Sequence, residues 1–451
     1  GGWGHARGAR GHGAIRDVEG RFVRITVPGD KSLTQRALIL ASIASGTSSL
    51  RGLLFGGDAE STANALRAMG VNIPPIPHDG GAIEVEGVGL DGLATPDAPL
   101  DLGNSGTGTR LLLGLLAGAG VGATLTGDTS LQSRPMKRVT APLCAMGASF
   151  EFLEEQDRLP LTITNAAGLS AVDWPSHVAS AQVKSAILLA GLTGHTFVQI
   201  TEPRRSRDHS ERMLNQLGVS VISHAVAGGW RVELRDPPAQ IEAFDFAVPG
   251  DISSAAFVLS LAALGATQDV LTVEGVGLNP TRTAFLDVLR RMGVDLNIAL
   301  RPDSGAEPVG TISAESADLR ATVIAPDEVP RLIDELPLVA ILGARAKGTT
   351  IIRDASELRT KESDRISALV ENLRGLGVSV EEFADGLAVE GSWEPLSGRV
   401  KCFDDHRIAM AFGVLGAQPG NSIEIDDPDA ASVSFPGFWE MLHNVSTEGG
   451  E

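Results

Sequence analysis

One phrase recurs six times along the 451 residues, and it constrains the fold more than any single motif. A polar segment leads into an apolar run of helical length, then a glycine, then a β-branched strand. The copies read "KSLTQRALILASIASGTSSL", "TGTRLLLGLLAGAGVGATLTG", "SAQVKSAILLAGLTGHTFVQIT", "DISSAAFVLSLAALGATQDVLTV", "IDELPLVAILGARAKGTTIIR" and "DHRIAMAFGVLGAQPGNSIEI". A second helix pattern follows each, and five of these close on a common tag: "ALRAMGV", "PLCAMGA", "MLNQLGV", "LRRMGV" and "LRGLGV". The sixth, "FPGFWEMLHNV", lacks the glycine. Gly70, Gly147, Gly218, Gly293 and Gly377 fall about 70 to 85 residues apart, where a C-cap ends a helix and a strand begins. Each unit predicts strand, helix, strand, helix, then one or two strands.

A chain of this length exceeds one ordinary core, and six units predict an α/β protein of two three-repeat domains. The turn "VPGD" occurs at Val27–Asp30 and again at Val248–Asp251, and is read as the two crossings between halves. One domain then spans 29–247, and the other joins 14–28 to 248–451. The opening "GGWGHARGARGHG", residues 1–13, reads as a flexible leader outside the fold.

The first crossing runs into "VPGDKSLTQRALILA", which imitates a phosphate loop without being one. A P-loop requires a glycine where this chain has Arg24. Lys31 and Ser32 still fall in a first helical turn, where free N–H groups favour an anion, and Arg36 shares the face of Ser32. The second crossing, "GDISSAAF", has Ile252 and Ala256 at the places of Lys31 and Arg36, so one copy carries the cations.

Further polar groups gather at other helix starts. "DLGNSGTGTR" offers Asn104, Gly106, Thr107 and Arg110, "LQSRPMKR" offers Arg134, and "SRDHSER" offers Arg207. "ELRTKESDR" offers Lys361, Glu362 and Arg365, while "DDHRIAM" offers His406 and Arg407. Asp334 stands before an apolar run, where a helix-capping role and a catalytic one are equally open. Brought into one cleft, these groups build a cationic hole for a small polyanion. The net charge of −19 makes such a hole a local exception, and argues against nucleic acid or an anionic membrane as partner.

The chain has no membrane-length apolar run, no secretory h-region and no metal-ligand spacing of His and Cys. Its two cysteines, Cys144 and Cys402, fit a reducing compartment, and a cytoplasmic location is expected. Tyrosine is absent, which removes a Tyr acid or nucleophile.

"PGDKSLTQRA", "GNSGTGTR", "RPMKR", "SAQVKSAILLAGL", "SRDHSERML", "PGDISSAAF", "LNPTRT", "RTKESDR", "DDHRIAMA" and "SVSFPGFWEML" together resemble the 5-enolpyruvylshikimate-3-phosphate synthase family, in order from about residue 25 to 443. The resemblance implies two inverse α/β domains, each of three βαβαββ-type repeats, with the active site in the cleft between them. It implies attack of the 5-hydroxyl of shikimate 3-phosphate on C2 of phosphoenolpyruvate, with loss of phosphate from a tetrahedral intermediate.

By match of motif, Ser32, Arg36, Ser180, Gln182, Arg207, Asp334 and Lys361 are expected to hold shikimate 3-phosphate. Lys31, Asn104, Arg134, Gln182, Arg365 and Arg407 are expected to hold phosphoenolpyruvate, with Gly106 at its floor. Asp334 matches the carboxylate that takes the hydroxyl proton. Glu362 matches the acid that protonates the methylene carbon, acidic among cations but with burial expected to hold its proton at the moment of transfer, and Lys31 shares proton duty. The resemblance calls for no cofactor and no metal, and implies a cleft that closes on its ligands. A monomer is expected, with glyphosate as a competitive inhibitor.

Three positions depart from the family's pattern. Val433 replaces a lysine that some members carry before the Ser/Thr-Phe-Pro turn. Thr109 and Leu111 replace the usual Met and Pro of "GTAMRPL", which leans toward the herbicide-tolerant subgroup, whereas Gly106 is the small residue associated with glyphosate sensitivity. Two rival readings remain: a UDP-N-acetylglucosamine enolpyruvyl transferase, whose reactive loop Cys is missing from "LQSRPMKR", and a binding module without turnover.

Overall fold

The repeat takes its predicted form most completely between residues 100 and 164. Strand Leu100–Asp101, helix Gly106–Ala119, strand Ala123–Thr126, helix Lys137–Met146 and strands Ser149–Phe152 and Leu161–Thr164 follow in turn. The first two strands are parallel, as a helical crossover requires, and the last two add antiparallel in the spatial order first, second, fourth, third. The same order recurs in the sheet of Val172–Pro175, Val198–Glu202, Gly229–Leu234 and Val221–Val226. Register sets Leu125 opposite Leu161 and Ile200 opposite Val232, which keeps the apolar residues on the core face. This computed structural model describes residues 14–16, 22–164, 168–267, 269–302 and 305–447, so the leader lies outside it.

Two repeats exchange a strand. Phe22–Thr26, which enters the first VPGD turn and then helix Lys31–Ser42, pairs parallel with Val270–Gly277. Asp245–Ala247, which enters the second VPGD turn and then helix Ile252–Ala263, pairs parallel with Ser45–Arg51. The turns themselves interlock: the Asp30 N–H donates to the Pro249 carbonyl at 2.9 Å, and the Asp251 N–H donates to the Pro28 carbonyl at 2.8 Å. Gly29 is obligatory at this contact, because a Cβ there would stand 1.9 Å from the Gly52 carbonyl oxygen.

Helices divide by burial as their composition demands. Every residue from Leu33 to Ser42 and from Ile252 to Ala263 is buried, so these helices form an inner layer. Second helices are amphipathic; Ala284–Arg291 buries Phe285, Val288 and Leu289 and exposes Asp287 and Arg290. The inner helices approach closely through glycine, since a Cβ on Gly114 would stand 2.1 Å from the Ala186 carbonyl oxygen. The five tag glycines all have φ between +79° and +110°, the left-handed form expected of a C-cap.

Buried apolar side chains form two clusters: one spans Leu33 to Val248, and the other takes Val23, Ile25 and Val27 together with residues from Ile252 to Val445. Among the described residues no helix is long and apolar enough to cross a membrane.

Candidate active site

Helix starts from both clusters face one cavity of about 160 Å³, the volume open to the centre of a water molecule. Nine Lys and Arg side chains line it against five carboxylates, so the cavity is cationic within an acidic chain. Its walls use the starts of second helices as well as first ones. Arg134 precedes helix Lys137–Met146, and Arg207 precedes helix His209–Gln216. Lys361 and Glu362 lie in the loop between a 3₁₀ turn, Ser356–Thr360, and helix Arg365–Gly375.

Lys31 opens helix Lys31–Ser42, which Asp30 caps by accepting the Leu33 N–H at 2.9 Å. Its Nζ lies 3.1 Å from Asp58 Oδ2. Burial lowers its pKa, but Asp58 and Glu362 outweigh burial and raise it. Ser32 lies beside it on the wall and accepts the Arg36 guanidinium through its carbonyl oxygen at 3.0 Å. Arg36 is fixed further by the hydroxyls of Ser185 and Ser210, both at 2.9 Å. Burial depresses its pKa to about 10, still cationic at neutral pH.

Ser180 caps helix Ala181–Thr193, and Gln182 in its first turn accepts from Arg110 at 3.0 Å and donates to Thr107 at 2.9 Å. Asn104 accepts from Arg134 at 2.6 Å. Gly106 starts its helix between two guanidinium groups, and a Cβ there would stand 2.9 Å from Arg110 and 3.2 Å from Arg134. Burial and the charges of Arg138 and Arg134 bring Arg110 down to about 9.

Asp334 does not cap a helix. It occupies the turn between Val329–Leu332 and Leu336–Gly343, and Glu335 takes the cap position. Asp334 Oδ2 accepts from Arg207 at 2.7 Å, while its Oδ1 stands 3.5 Å from Arg365, 3.9 Å from Lys361 and 4.0 Å from Arg407. Burial raises this carboxyl, yet Arg207, Arg407, Lys361 and Arg365 together hold it well below its ordinary 3.8.

Glu362 accepts from Arg365 at 2.6 Å. Burial, expected to hold its proton, is not enough: Arg365 and, beyond it, Lys31 and Arg134 hold it well below 4.5. Arg365 is also the one expected ligand absent from the cavity wall. It is 1% exposed and lies behind the wall, clamped by Asp405 at 2.8 and 3.3 Å. There it spans Asp334 and Glu362. Arg407 faces the cavity and donates to the Asp334 carbonyl at 3.2 Å.

Asp58, Arg138, His209, Asp251, Arg282 and Glu357 also line the cavity, and sequence reading had not singled them out. Of the six, Asp58 alone lay outside every quoted motif. Arg138 meets Glu357 at 3.4 Å. Arg282 reaches Asp30 at 3.2 Å and Asp251 at 3.4 Å, bridging the caps of the two VPGD helices. No group of three or more His, Cys, Asp or Glu among the described residues is placed to hold a metal ion.

Residues 15–442 match the family model of EPSP synthase (3-phosphoshikimate 1-carboxyvinyltransferase). A 3-phosphoshikimate 1-carboxyvinyltransferase of Gloeobacter violaceus is 47% identical over 422 residues, covering 93% of this chain and 96% of that one. Its counterpart in Bacillus subtilis is 43% identical over 427 residues, covering 94% and 96%. Among solved structures, the EPSP synthase of Acinetobacter baumannii superposes with a TM-score of 0.81 at 37% identity, covering 94% of this chain and 96% of that one. The enolpyruvyl transferase NikO of Streptomyces tendae, at 18% identity and a TM-score of 0.70 over 94% of each chain, shares the fold. The chain belongs to the EPSP synthase family.

Proposed function

We propose that the chain transfers the enolpyruvyl group of phosphoenolpyruvate to the 5-hydroxyl of shikimate 3-phosphate, as a 3-phosphoshikimate 1-carboxyvinyltransferase of aromatic amino-acid biosynthesis. The observation that carries the reading is Arg365, one guanidinium touching both Asp334 and Glu362 beneath a cationic cavity. The two carboxylates are thereby within reach of one small reacting centre. Each substrate brings a phosphate and a carboxylate, and the cavity offers a surplus of cations to meet them.

In this reading Ser32, Arg36, Ser180, Gln182, Arg207 and Lys361 hold shikimate 3-phosphate. Lys31, Asn104, Gly106, Arg134, Gln182 and Arg407 hold phosphoenolpyruvate, and Arg365 acts from behind the wall. Asp334, kept ionised, is a base ready to take the 5-hydroxyl proton as the oxygen attacks C2. Glu362 delivers a proton to the methylene carbon, giving the tetrahedral intermediate. Loss of a proton from that carbon and departure of phosphate then regenerate the vinyl group. Without ligands the cations keep Glu362 ionised. Anionic substrates meet Lys31 and Arg134, the two of those cations that line the cavity, so the carboxyl gains its proton more readily as the site fills.

The halves are read as 29–247 and 14–28 plus 248–451, supported by the two core clusters and the interlocked turns. A cytoplasmic monomer is proposed, with glyphosate competing at the phosphoenolpyruvate side. Some tolerance is read from Thr109 and Leu111; a glyphosate inhibition constant far below the phosphoenolpyruvate KM removes that part alone.

The test is phosphate release from phosphoenolpyruvate, with shikimate 3-phosphate and UDP-N-acetylglucosamine offered separately. Release with the first acceptor only is expected. Release with the second supports the rival transferase, and tight binding without release supports a binding module.

A further inference from the structure

Three buried ionisable groups lie behind the cavity without lining it: Lys184, Glu202 and Glu211, each no more than 3% exposed. Lys184 Nζ lies 3.1 Å from Glu202 Oε2 and 2.8 Å from Glu211 Oε1. Glu202, the last residue of strand Val198–Glu202, joins two loops. Its Oε1 accepts the Ser180 N–H at 3.0 Å and the Ser206 hydroxyl at 2.7 Å, and its Oε2 accepts the Ser206 N–H at 3.4 Å. One loop carries Ser180 and leads into helix Ala181–Thr193, whose first turn holds Gln182. The other carries Ser206 and Arg207. The neighbours of the cluster in sequence, Ser185 and Ser210, hold Arg36 and each other.

We infer that Glu202 is a positioning residue for the anion pocket of Arg36, Ser180 and Arg207, with Lys184 as its counter-ion. The inference rests on the functional reading above. A carboxylate placed behind an anion pocket opposes binding unless it is compensated. Lys184 supplies that compensation one turn after Ser180, shared with Glu211, whose carboxyl burial pushes above its ordinary range. What remains is geometry: two loops from different parts of the chain are held at one separation by two carboxylate oxygens. Glutamine at this position keeps one acceptor but turns an NH₂ toward the Ser206 N–H or the Lys184 ammonium, so donor faces donor. The loops then part, and the group bound between them is held less tightly. Reaction at the other end of the cavity, at Asp334 and Glu362, is left in place.

The test is steady-state phosphate release by the full chain, for the parent, Glu202→Gln and Ser206→Ala, varying each substrate with the other saturating. Binding of shikimate 3-phosphate alone is measured by calorimetry. Glu202→Gln is expected to raise the shikimate 3-phosphate KM and dissociation constant by about tenfold, the worth of one or two well-placed hydrogen bonds. Its kcat and its phosphoenolpyruvate KM stay within about threefold of the parent. Ser206→Ala, which leaves the ion pair intact, shifts the same two constants by a smaller factor. Constants that all move together, or none that move, overturn the inference. If Glu202→Gln does not fold, Ser206→Ala decides by the same split. A parent inactive with shikimate 3-phosphate overturns the functional reading and this inference with it. A normal parent beside an unsplit variant overturns this inference alone.

Discussion

Arg365 and His406 show how single residues are fixed by charge around them. Arg365 serves three carboxylates, so removing the ligand-facing ones changes chemistry more than fold. Glu362→Gln and Asp334→Asn are each predicted to lower kcat by about 10²–10⁴, the usual worth of a general acid or base. Circular dichroism unchanged beside a fall in kcat of less than tenfold removes the role. His406 is 3% exposed, its Nε2 lacks a partner, and burial followed by the charge of Lys31 pushes its pKa down to about 3. Its unfolded form binds a proton below about pH 6.5, and the folded form does not until about pH 3. Stability therefore falls as pH drops through that window, by roughly 2 kcal/mol from this group at pH 5. His406→Gln is predicted to flatten the decline in urea midpoint between pH 7 and 5; an unchanged slope refutes it. At this scale the sequence was readable where cavity-lining residues belong to helix-start motifs. It was silent on Asp58 and Glu357, which matter through contacts with Lys31 and Arg138 that no local spacing announces.

Among elements, the inner helices set the distance between groups that line the cavity. Gly106–Ala119 and Ala181–Thr193 touch backbone to backbone at Gly114, and the same pair presents Arg110 and Gln182 in a hydrogen bond. Gly114→Ala must push them apart, because the obstructing atoms belong to the Ala186 backbone. A loss of about 1–3 kcal/mol is predicted from urea unfolding, with a raised KM for both substrates. A variant as stable as the parent would show that the helices yield at no cost. The C-capping glycines were legible because a left-handed residue leaves a chemical signature. The strand exchange was not: the sequence shows two VPGD turns, but which sheet each preceding strand joins depends on pairing across 196 residues in one case and 248 in the other.

The whole molecule turns on the point where those turns meet. Arg282, 3% exposed, stands between Asp30 and Asp251, and Arg282→Met leaves two buried carboxylates facing each other. Burial and then Asp30 already raise Asp251, so without the arginine the pair is driven further toward sharing a proton. A loss of about 3–5 kcal/mol is predicted at pH 8. Raised carboxyls penalise folding most at high pH, so the loss shrinks at pH 5. Equal losses at both values refute the coupling. Chain entry into the proposed 29–247 half and exit from it are also paired residue to residue, Asp30 with Pro249 and Asp251 with Pro28. An insert whose two ends already touch leaves no gap when it is lifted out. The outer segments could be spliced by a short linker and the inner stretch made as its own polypeptide, turning cleft formation into a bimolecular equilibrium that substrates would titrate.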